Sequence, residues 1–357
     1  MKNIKILIAD SSSVYTKMFR KAIEEVDGNV SITCVSNGKD AVDAIFYRSP
    51  DILIIDAEVE GTGLYEVVAL VTKEFPKAFI LVTSRPSSTS AKVFMEVLSA
   101  GASDSLTKPI YDSYSENYET IKSKISDIIG IQRAIGSKKP KVDNAGAHGG
   151  GRINAGNIKV KKTSAKTFHP QIILIAVSTG GPRALENIIP ALRPGIHIPI
   201  LIVQHMPTHF INTLAGRLNS KSMLRVKVAE DGEKIKSGTI YLAPGGVHMR
   251  LNADNELYMD DSHPINGVRP AADALFESVA EDFTGSRILA IVLTGMGQDS
   301  LRGLIKLKEK KRCYCIAQSE KTCVVYGMPR AVIEEGLADK VIDLDDIAHE
   351  IDKFSYS

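Results

Sequence analysis

Between Gln171 and Ile189 the chain reads QIILIAVSTGGPRALENII, and this stretch decides the fold. The run from Ile172 to Val177 is continuously apolar and rich in β-branched residues, as in strands of a parallel sheet covered on both faces. It stops at Ser178. Thr179, Gly180 and Gly181 allow a sharp turn, and Pro182 has a fixed φ suited to the first turn of a helix with apolar positions at Leu185, Ile188 and Ile189. A hydroxyl at such a corner lies at the end of a strand and the start of a helix, where unpaired N–H groups favour developing negative charge. Taken alone, the stretch is also explained by an ordinary capped helix, since Ser and Thr are common caps. A phosphate-binding loop is a third reading, but the stretch lacks both G-x-x-x-x-G-K-[ST] and G-x-G-x-x-G. What raises Ser178 above these alternatives is found further along the chain.

With 357 residues the chain has room for two domains with sizeable cores, and 44% hydrophobic with 24% charged residues is a globular composition. A formal net charge of +2 gives no general bias toward polyanions. Four cysteines, Cys34, Cys313, Cys315 and Cys323, are too sparse for a disulfide framework and lack C-x-x-C spacing, so free thiols are expected. The N-terminal apolar run Ile6 to Ala9 is too short for a signal peptide, and no apolar stretch nears the ~20 residues of a membrane helix. A cytoplasmic protein with no membrane insertion and no nucleic-acid partner is expected.

Residues 1–130 alternate between apolar runs (Ile4 to Ala9, Ser31 to Val35, Asp51 to Ile55, Phe79 to Val82, Ser103 to Leu106) and helical patterns. Five such β-α units imply a doubly wound parallel α/β sheet, whose ligands gather at the C-terminal strand ends. That rule selects Asp10, Asp56, Thr83 and Lys108. Each has a local explanation as a cap, a turn residue or a solvated charge, but their shared position after successive strands argues for a joint role. These residues resemble the flavodoxin-like receiver domain of bacterial response regulators. The resemblance implies phosphorylation on Asp56, a Mg²⁺ held by Asp10 and Asp56, and contacts of Thr83 and Lys108 with the phosphoryl oxygens. Two departures weaken it: Ser11 stands where receivers usually carry a second acid, and Val59-Glu60-Gly61-Thr62-Gly63 shortens the turn after Asp56. Glu58 or Glu60 is the candidate to restore the lost charge.

Residues 131–169 change composition, with Lys138-Lys139-Pro140-Lys141, His148-Gly149-Gly150-Gly151 and Lys159-Val160-Lys161-Lys162, and read as a flexible basic linker. No aromatic residue interleaves with these lysines, which leaves a nucleic-acid arm without a stacking platform.

Residues 170–357 form a second α/β pattern. Pro199 to Gln204 reads as a buried strand leading to His205, and Arg287 to Leu293 as another leading through Thr294-Gly295-Met296-Gly297-Gln298 to Asp299. Gly238 to Ala243, Val247 to Leu251 and Glu256 to Met259 read as antiparallel strands. If the three buried strands are parallel neighbours, Ser178, His205 and Asp299 meet at one sheet edge. Serine needs an imidazole to take its proton, and the imidazole needs a carboxylate to orient it, so this set is an inventory for nucleophilic catalysis. The order Ser, His, Asp and the missing first glycine of G-x-S-x-G exclude an ordinary α/β-hydrolase.

The stretches IAVSTGGP, VQHMP, APGGVHM, GVRPAADALF, LTGMGQD and AQSEKTCVVYGMPRAV, over roughly residues 171–345, resemble the chemotaxis-specific protein-glutamate methylesterase family, which also deamidates glutamine. The resemblance implies a mainly parallel α/β methylesterase domain with an antiparallel hairpin, and a triad of Ser178, His205 and Asp299. Backbone donors near Thr179 and Met296 are placed to hold the oxyanion. No cofactor is implied for the esterase. The implied substrate partners are methyl-accepting chemotaxis receptors, and the implied phosphodonor is the chemotaxis histidine kinase. Ala176 and Ser300 stand where the family commonly has glycine. Two rivals come from other classes: a non-catalytic receptor-binding adapter with a degenerate receiver, and a nucleotide-binding α/β protein, for which no partner lysine is evident.

Overall fold

Strands buried on both faces carry this molecule: Ile52–Asp56 and Ile172–Val177 are buried at every position, as parallel strands flanked by helices must be. The computed structural model describes residues 2–85, 88–108, 114–136 and 168–356. The chain divides into two compact units.

The first contains β1 (Ile4–Ala9), α1 (Ser13–Val26), β2 (Val30–Val35), α2 (Gly38–Arg48), β3 (Ile52–Asp56), α3 (Leu64–Glu74), β4 (Phe79–Ser84), α4 (Ser88–Ala100), β5 (Asp104–Thr107) and α5 (Tyr114–Gly136). Its five-stranded sheet has the order β2-β1-β3-β4-β5, with all pairings parallel. Leu7, Ile8, Leu53 and Ile54 are buried in its centre together with Phe19 and Ile23 of α1. Each such side chain contributes about 1.5–3 kcal/mol on leaving water. α5 continues past residue 130, where the composition change places the start of the linker. The reason is packing: Ile128 and Ile129 are buried, Gln132 donates to the Lys77 carbonyl (3.1 Å), and Arg133 Nε donates to Asp27 (2.7 Å). The lysine- and glycine-rich part of the linker, 137–167, lies outside the described residues.

The second unit contains β6 (Ile172–Val177), α6 (Gly181–Ile188), β7 (Ile200–Gln204), α7 (Thr208–Lys221), β8 (Arg225–Val228), β9 (Glu233–Lys234), β10 (Thr239–Leu242), β11 (His248–Leu251), β12 (Glu256–Asp260) and α8 (Ala272–Glu281). After these come β13 (Arg287–Val292), α9 (Leu301–Lys310), β14 (Arg312–Gln318), α10 (Gly327–Glu334), β15 (Lys340–Ile342) and α11 (Leu344–Tyr356). The main sheet is seven-stranded and parallel, in the order β15-β14-β13-β6-β7-β10-β8. The chain starts in the middle at β6, winds outward through β7, then crosses over to β13. That reversal is the topological switch point at which open α/β sheets bind ligands. Phe168, read as linker, is buried against Tyr314 and Phe354 and so belongs to this core.

One strand differs from its expected role. Thr239–Leu242 does not join the antiparallel set; it inserts into the main sheet, parallel to both β7 and β8. All four of its residues are buried, whereas a hairpin strand with one wet face alternates. The antiparallel sheet is β11-β12-β9, with Met249 opposite Met259. Cys313 and Cys315 are buried free thiols on β14. Among the described residues no helix is long and apolar enough to cross a membrane.

Ser300 caps α9 at φ 87°, ψ −17°, in the left-handed region, and its buried hydroxyl has no hydrogen-bond partner among the described residues. Left-handed strain costs about 1–2 kcal/mol and an unsatisfied buried hydroxyl about as much, against roughly 1 kcal/mol for glycine's extra unfolded freedom. Ser300→Gly should therefore stabilise the second unit by about 1 kcal/mol, raising its Tm by roughly 2–4 °C. Ser300→Ala keeps the strain and should melt below Ser300→Gly. Thermal unfolding by circular dichroism reads both, and a glycine variant melting at or below the wild-type temperature contradicts this account.

Candidate active site

The corner after β6 is built by backbone bonds. Ser178 N–H donates to the Thr294 carbonyl (3.0 Å) and Gly181 N–H to the Ser178 carbonyl (2.7 Å), closing the turn that begins α6. Gly180 sits at φ 79°, and a Cβ there would stand 2.6 Å from Val324 Cβ, so both conformation and space require glycine. Gln204, buried at the end of β7, donates from Nε2 to the carbonyls of Ser178 (3.0 Å) and His205 (3.2 Å), tying the two strand ends together.

The three residues expected to meet do so. His205 Nδ1 is 3.0 Å from Ser178 Oγ, and His205 Nε2 is 2.7 Å from Asp299 Oδ2. β6 lies between β7 and β13, so all three reach the same edge at the switch point. Because an ionised carboxylate only accepts, the neutral imidazole carries its proton on Nε2 and offers Nδ1 to the serine hydroxyl. Asp299 is nearly inaccessible, at 3% exposure. Its Oδ2 also accepts from Ala272 N–H (2.6 Å) and its Oδ1 from Asp273 N–H (3.0 Å), the first two residues of α8. Asp299 thus caps a helix whose own cap position is Ala271, which has no side chain for the task. Burial pushes its carboxyl upward, but the His205 contact and the two backbone donors outweigh this and hold it below the usual carboxylate range.

Behind the triad lies a second acid that the sequence reading passed over. Asp273, 1% exposed, accepts from Gly303 N–H (2.8 Å) and from Asn266 Nδ2 (2.9 Å), while the same Asn266 Nδ2 approaches Asp299 Oδ1 (3.5 Å). Burial, and next the negative charge of Asp299, raise the Asp273 carboxyl to about 7. The signal was present: in GVRPAADALF it is the one acid within an otherwise apolar helical run. His248, fully buried, accepts Ala271 N–H on Nδ1 (3.1 Å) and donates from Nε2 to the His263 carbonyl (3.2 Å), anchoring the start of α8 to β11.

The loop at Met296 closes over Ser178. Gly295 N–H donates to the Val325 carbonyl and Met328 N–H to the Gly295 carbonyl (both 2.9 Å), and a Cβ on Gly295 would stand 2.9 Å from Ser178 Cβ. Met296 N–H takes part in none of the bonds that fix this loop among the described residues. The Thr179 carbonyl is taken by Thr294 Oγ1 (2.9 Å), which fixes the turn. Beside it opens a cavity of about 300 Å³ lined by Arg183, Asn187, Gln318, Thr322, Val324 and Asp345, large enough for a side chain of a substrate protein.

In the first unit Asp10, Asp56, Thr83 and Lys108 are all buried at the C-terminal strand ends. Lys108 Nζ lies 2.8 Å from Asp10 Oδ2 and 2.7 Å from Asp56 Oδ2, so two carboxylates converge on one ammonium. Burial raises the Asp10 carboxyl above its ordinary value, with Lys108 and Ser12 N–H (2.8 Å) pulling the other way. Thr83 Oγ1 donates to the Ile55 carbonyl (3.4 Å). Ser11 is exposed, and Glu58 faces Arg85 (3.8 Å). No group of three or more His, Cys, Asp or Glu fit to hold a metal occurs among the described residues. Asp10 and Asp56 remain as a two-carboxylate set, which suits a Mg²⁺ ion that keeps most of its waters.

The family described as CheB methylesterase matches residues 173–351, and the response regulator receiver domain matches residues 6–115. The protein-glutamate methylesterase/protein-glutamine glutaminase of Desulfotalea psychrophila is 36% identical over 98% of both chains, and that of Thermotoga maritima 36% identical over 95% of both. The crystal structure of the Thermotoga maritima CheB methylesterase catalytic domain, 45% identical, covers 52% of this chain and 98% of its own, with a TM-score of 0.50. A likeness that runs almost end to end, over a hydroxyl, an imidazole and a carboxylate in hydrogen-bonded sequence, means that this chain belongs to the CheB methylesterase family, with a response regulator receiver domain at its front.

Proposed function

We propose that this chain is a protein-glutamate methylesterase and protein-glutamine glutaminase that hydrolyses glutamyl methyl esters on chemotaxis receptors in the cytoplasm. The observation that carries this reading is the unbroken line Ser178 Oγ, His205 Nδ1, His205 Nε2, Asp299 Oδ2. Relatives named for both activities, similar over nearly the whole length, support it.

The mechanism follows from the donors. As Ser178 Oγ attacks the ester carbonyl, its proton passes to His205 Nδ1, and the imidazolium that forms is stabilised by Asp299. The tetrahedral oxyanion is met by backbone N–H groups at Met296 and the turn around Thr179. Collapse breaks the C–O bond, and His205 returns the proton to methoxide, releasing methanol; with a glutamine substrate the leaving group is ammonia. Water, deprotonated by His205, then attacks the glutamyl-Ser178 ester; the acyl C–O bond to Ser178 breaks, His205 returns the proton to Ser178 Oγ, and the glutamate is freed. No cofactor enters these steps.

For the receiver unit we propose phosphorylation of Asp56 by a chemotaxis histidine kinase, with Asp10 and Asp56 holding Mg²⁺ and Lys108 and Thr83 facing the phosphoryl oxygens. A bound Mg²⁺ neutralises charge on the phosphoryl group. The phosphorylated receiver raises the activity of the esterase. Two carboxylates converging on Lys108 support this part of the reading; Ser11 in place of a further acid weakens the cation site.

Ser178→Ala should lower methanol release from methylated receptor membranes by about 10⁶ in kcat while leaving the melting temperature unchanged. Substantial turnover in that variant rejects the assignment, and no release by the wild-type chain favours the adapter reading. Acetyl phosphate with Mg²⁺ should label Asp56 and speed methanol release by the full chain, both effects vanishing in Asp56→Asn; absence of label at millimolar Mg²⁺ would identify a degenerate receiver. Ser11→Asp, which adds a ligand charge, should tighten Mg²⁺ on the order of tenfold in a calorimetric titration, and unchanged affinity would show that residue 11 does not face the ion.

A further inference from the structure

Asp273 and Asn266 are not among the reacting groups, yet their geometry is bound up with the triad. Asp299 and Asp273 are two carboxyl groups bridged by a single amide, Asn266 Nδ2, at 3.5 Å and 2.9 Å. They are joined a second time through the backbone, because the N–H of Asp273 itself donates to Asp299 Oδ1. Asp273 is further pinned to α9 by Gly303 N–H. A Cβ on Gly303 would stand 3.1 Å from the Asp273 carbonyl oxygen, so the close approach of α9 to α8 depends on that glycine. Asn266 holds its bridging position at φ 54°, a left-handed conformation that Asn and Gly adopt more readily than other residues.

We propose that Asp273 is a positioning residue of the triad, acting through Asn266 and the first turn of α8 to orient Asp299, and that its negative charge strengthens His205 as the base toward Ser178. This rests on the hydrolytic reading above. Asp273 touches no substrate atom. Its charge acts because Asp299, one residue away in space, passes the field to the imidazole through a water-poor interior, where charges are weakly screened.

The groups facing Asp273 are few. Asp299 comes from the loop after β13 and lies between Asp273 and His205. Glu277 is one turn further along α8, and Arg302 (4.0 Å) and Lys306 (3.4 Å) of α9 approach its carboxylate. On the β11 side His248 is occupied by Ala271 N–H and the His263 carbonyl. The carboxyl of Asp273 is raised to about 7, so it is uncharged below that pH and charged above it. Neutral Asp273 removes support from the imidazolium; charged Asp273 supplies it. The hydrolytic rate should therefore climb through a step near pH 7 that is absent when residue 273 cannot ionise.

The experiment follows two readouts on the full chain between pH 5.5 and 9: methanol release, and covalent labelling of Ser178 by a fluorophosphonate, which needs the triad but no receptor. Asp273→Asn should match wild type within about twofold near pH 6 and fall behind by on the order of tenfold near pH 8, the change carried by one unit of altered basicity. Asn266→Gly keeps the backbone conformation but removes a donor that favours the charged form of Asp273, so the step should move to higher pH. A defect in Asp273→Asn of equal size at every pH means a merely structural role and overturns the proposal, as does an Asn266→Gly step left at its wild-type position. Should Asp273→Asn not fold, the Asn266→Gly step decides alone by the same criterion. If the chain is labelled by the fluorophosphonate but releases no methanol, the proposed substrate is wrong while the labelling profile still judges Asp273.

Discussion

The second unit is arranged around one buried charge. A carboxylate taken out of water costs several kcal/mol unless donors replace its hydration, and Asp299 is almost wholly inaccessible. Its donors come from three places: the first turn of α8, the imidazole at the end of β7, and the amide of Asn266. Each must arrive at once, because leaving out one would strand part of the charge. The start of α8 is itself steadied by His248 on β11, and the loop carrying Asp299 is set by the pairing of β13 with β6. The antiparallel sheet, although it holds none of the three reacting residues, is part of what keeps the triad in line.

The same physical solution recurs in the first unit with opposite emphasis. There an ammonium, Lys108, is buried between two carboxylates at the C-terminal ends of β1 and β3. Three charges in one spot satisfy one another, and the surplus negative charge is what a divalent cation can share. In both units the sheet is parallel and its central strands are buried on both faces, so polar chemistry gathers at the strand ends and the loops beyond them.

Small residues near these sites answer to distance more than to chemistry. Gly180 and Gly295 let the two loops close to within contact of Ser178 and Val324, and Gly303 lets α9 meet α8. Ser300 tolerates a left-handed backbone because Asp299 and the turn of α9 on either side hold it there. Ala176 causes no such conflict; it is buried within β6 between Val292 and Val203.

The strands that lead to Asp10, Asp56, Thr83, Lys108, Ser178, His205 and Asp299 were legible from local pattern, whereas Arg225–Val228, which pairs with β10 at the sheet edge, was not. Apolar runs of strand length, ending repeatedly in an acid, a hydroxyl, a lysine or a histidine, state their own positions once parallel pairing is assumed. Thr239–Leu242 was misread as antiparallel because a four-residue apolar strand carries no mark of direction; direction follows from which neighbours need covering. Asp273 was missed for a similar reason, since an acid in a helix looks solvated until a second helix is packed over it. The sequence by itself determined which residues sit at strand ends, because the period of burial and the turn-forming glycines are local properties. Tertiary structure alone decided which donors reach Asp299, which ring nitrogen of His205 faces Ser178, and that two buried carboxyls lie side by side, because these depend on distances between segments that no local pattern encodes.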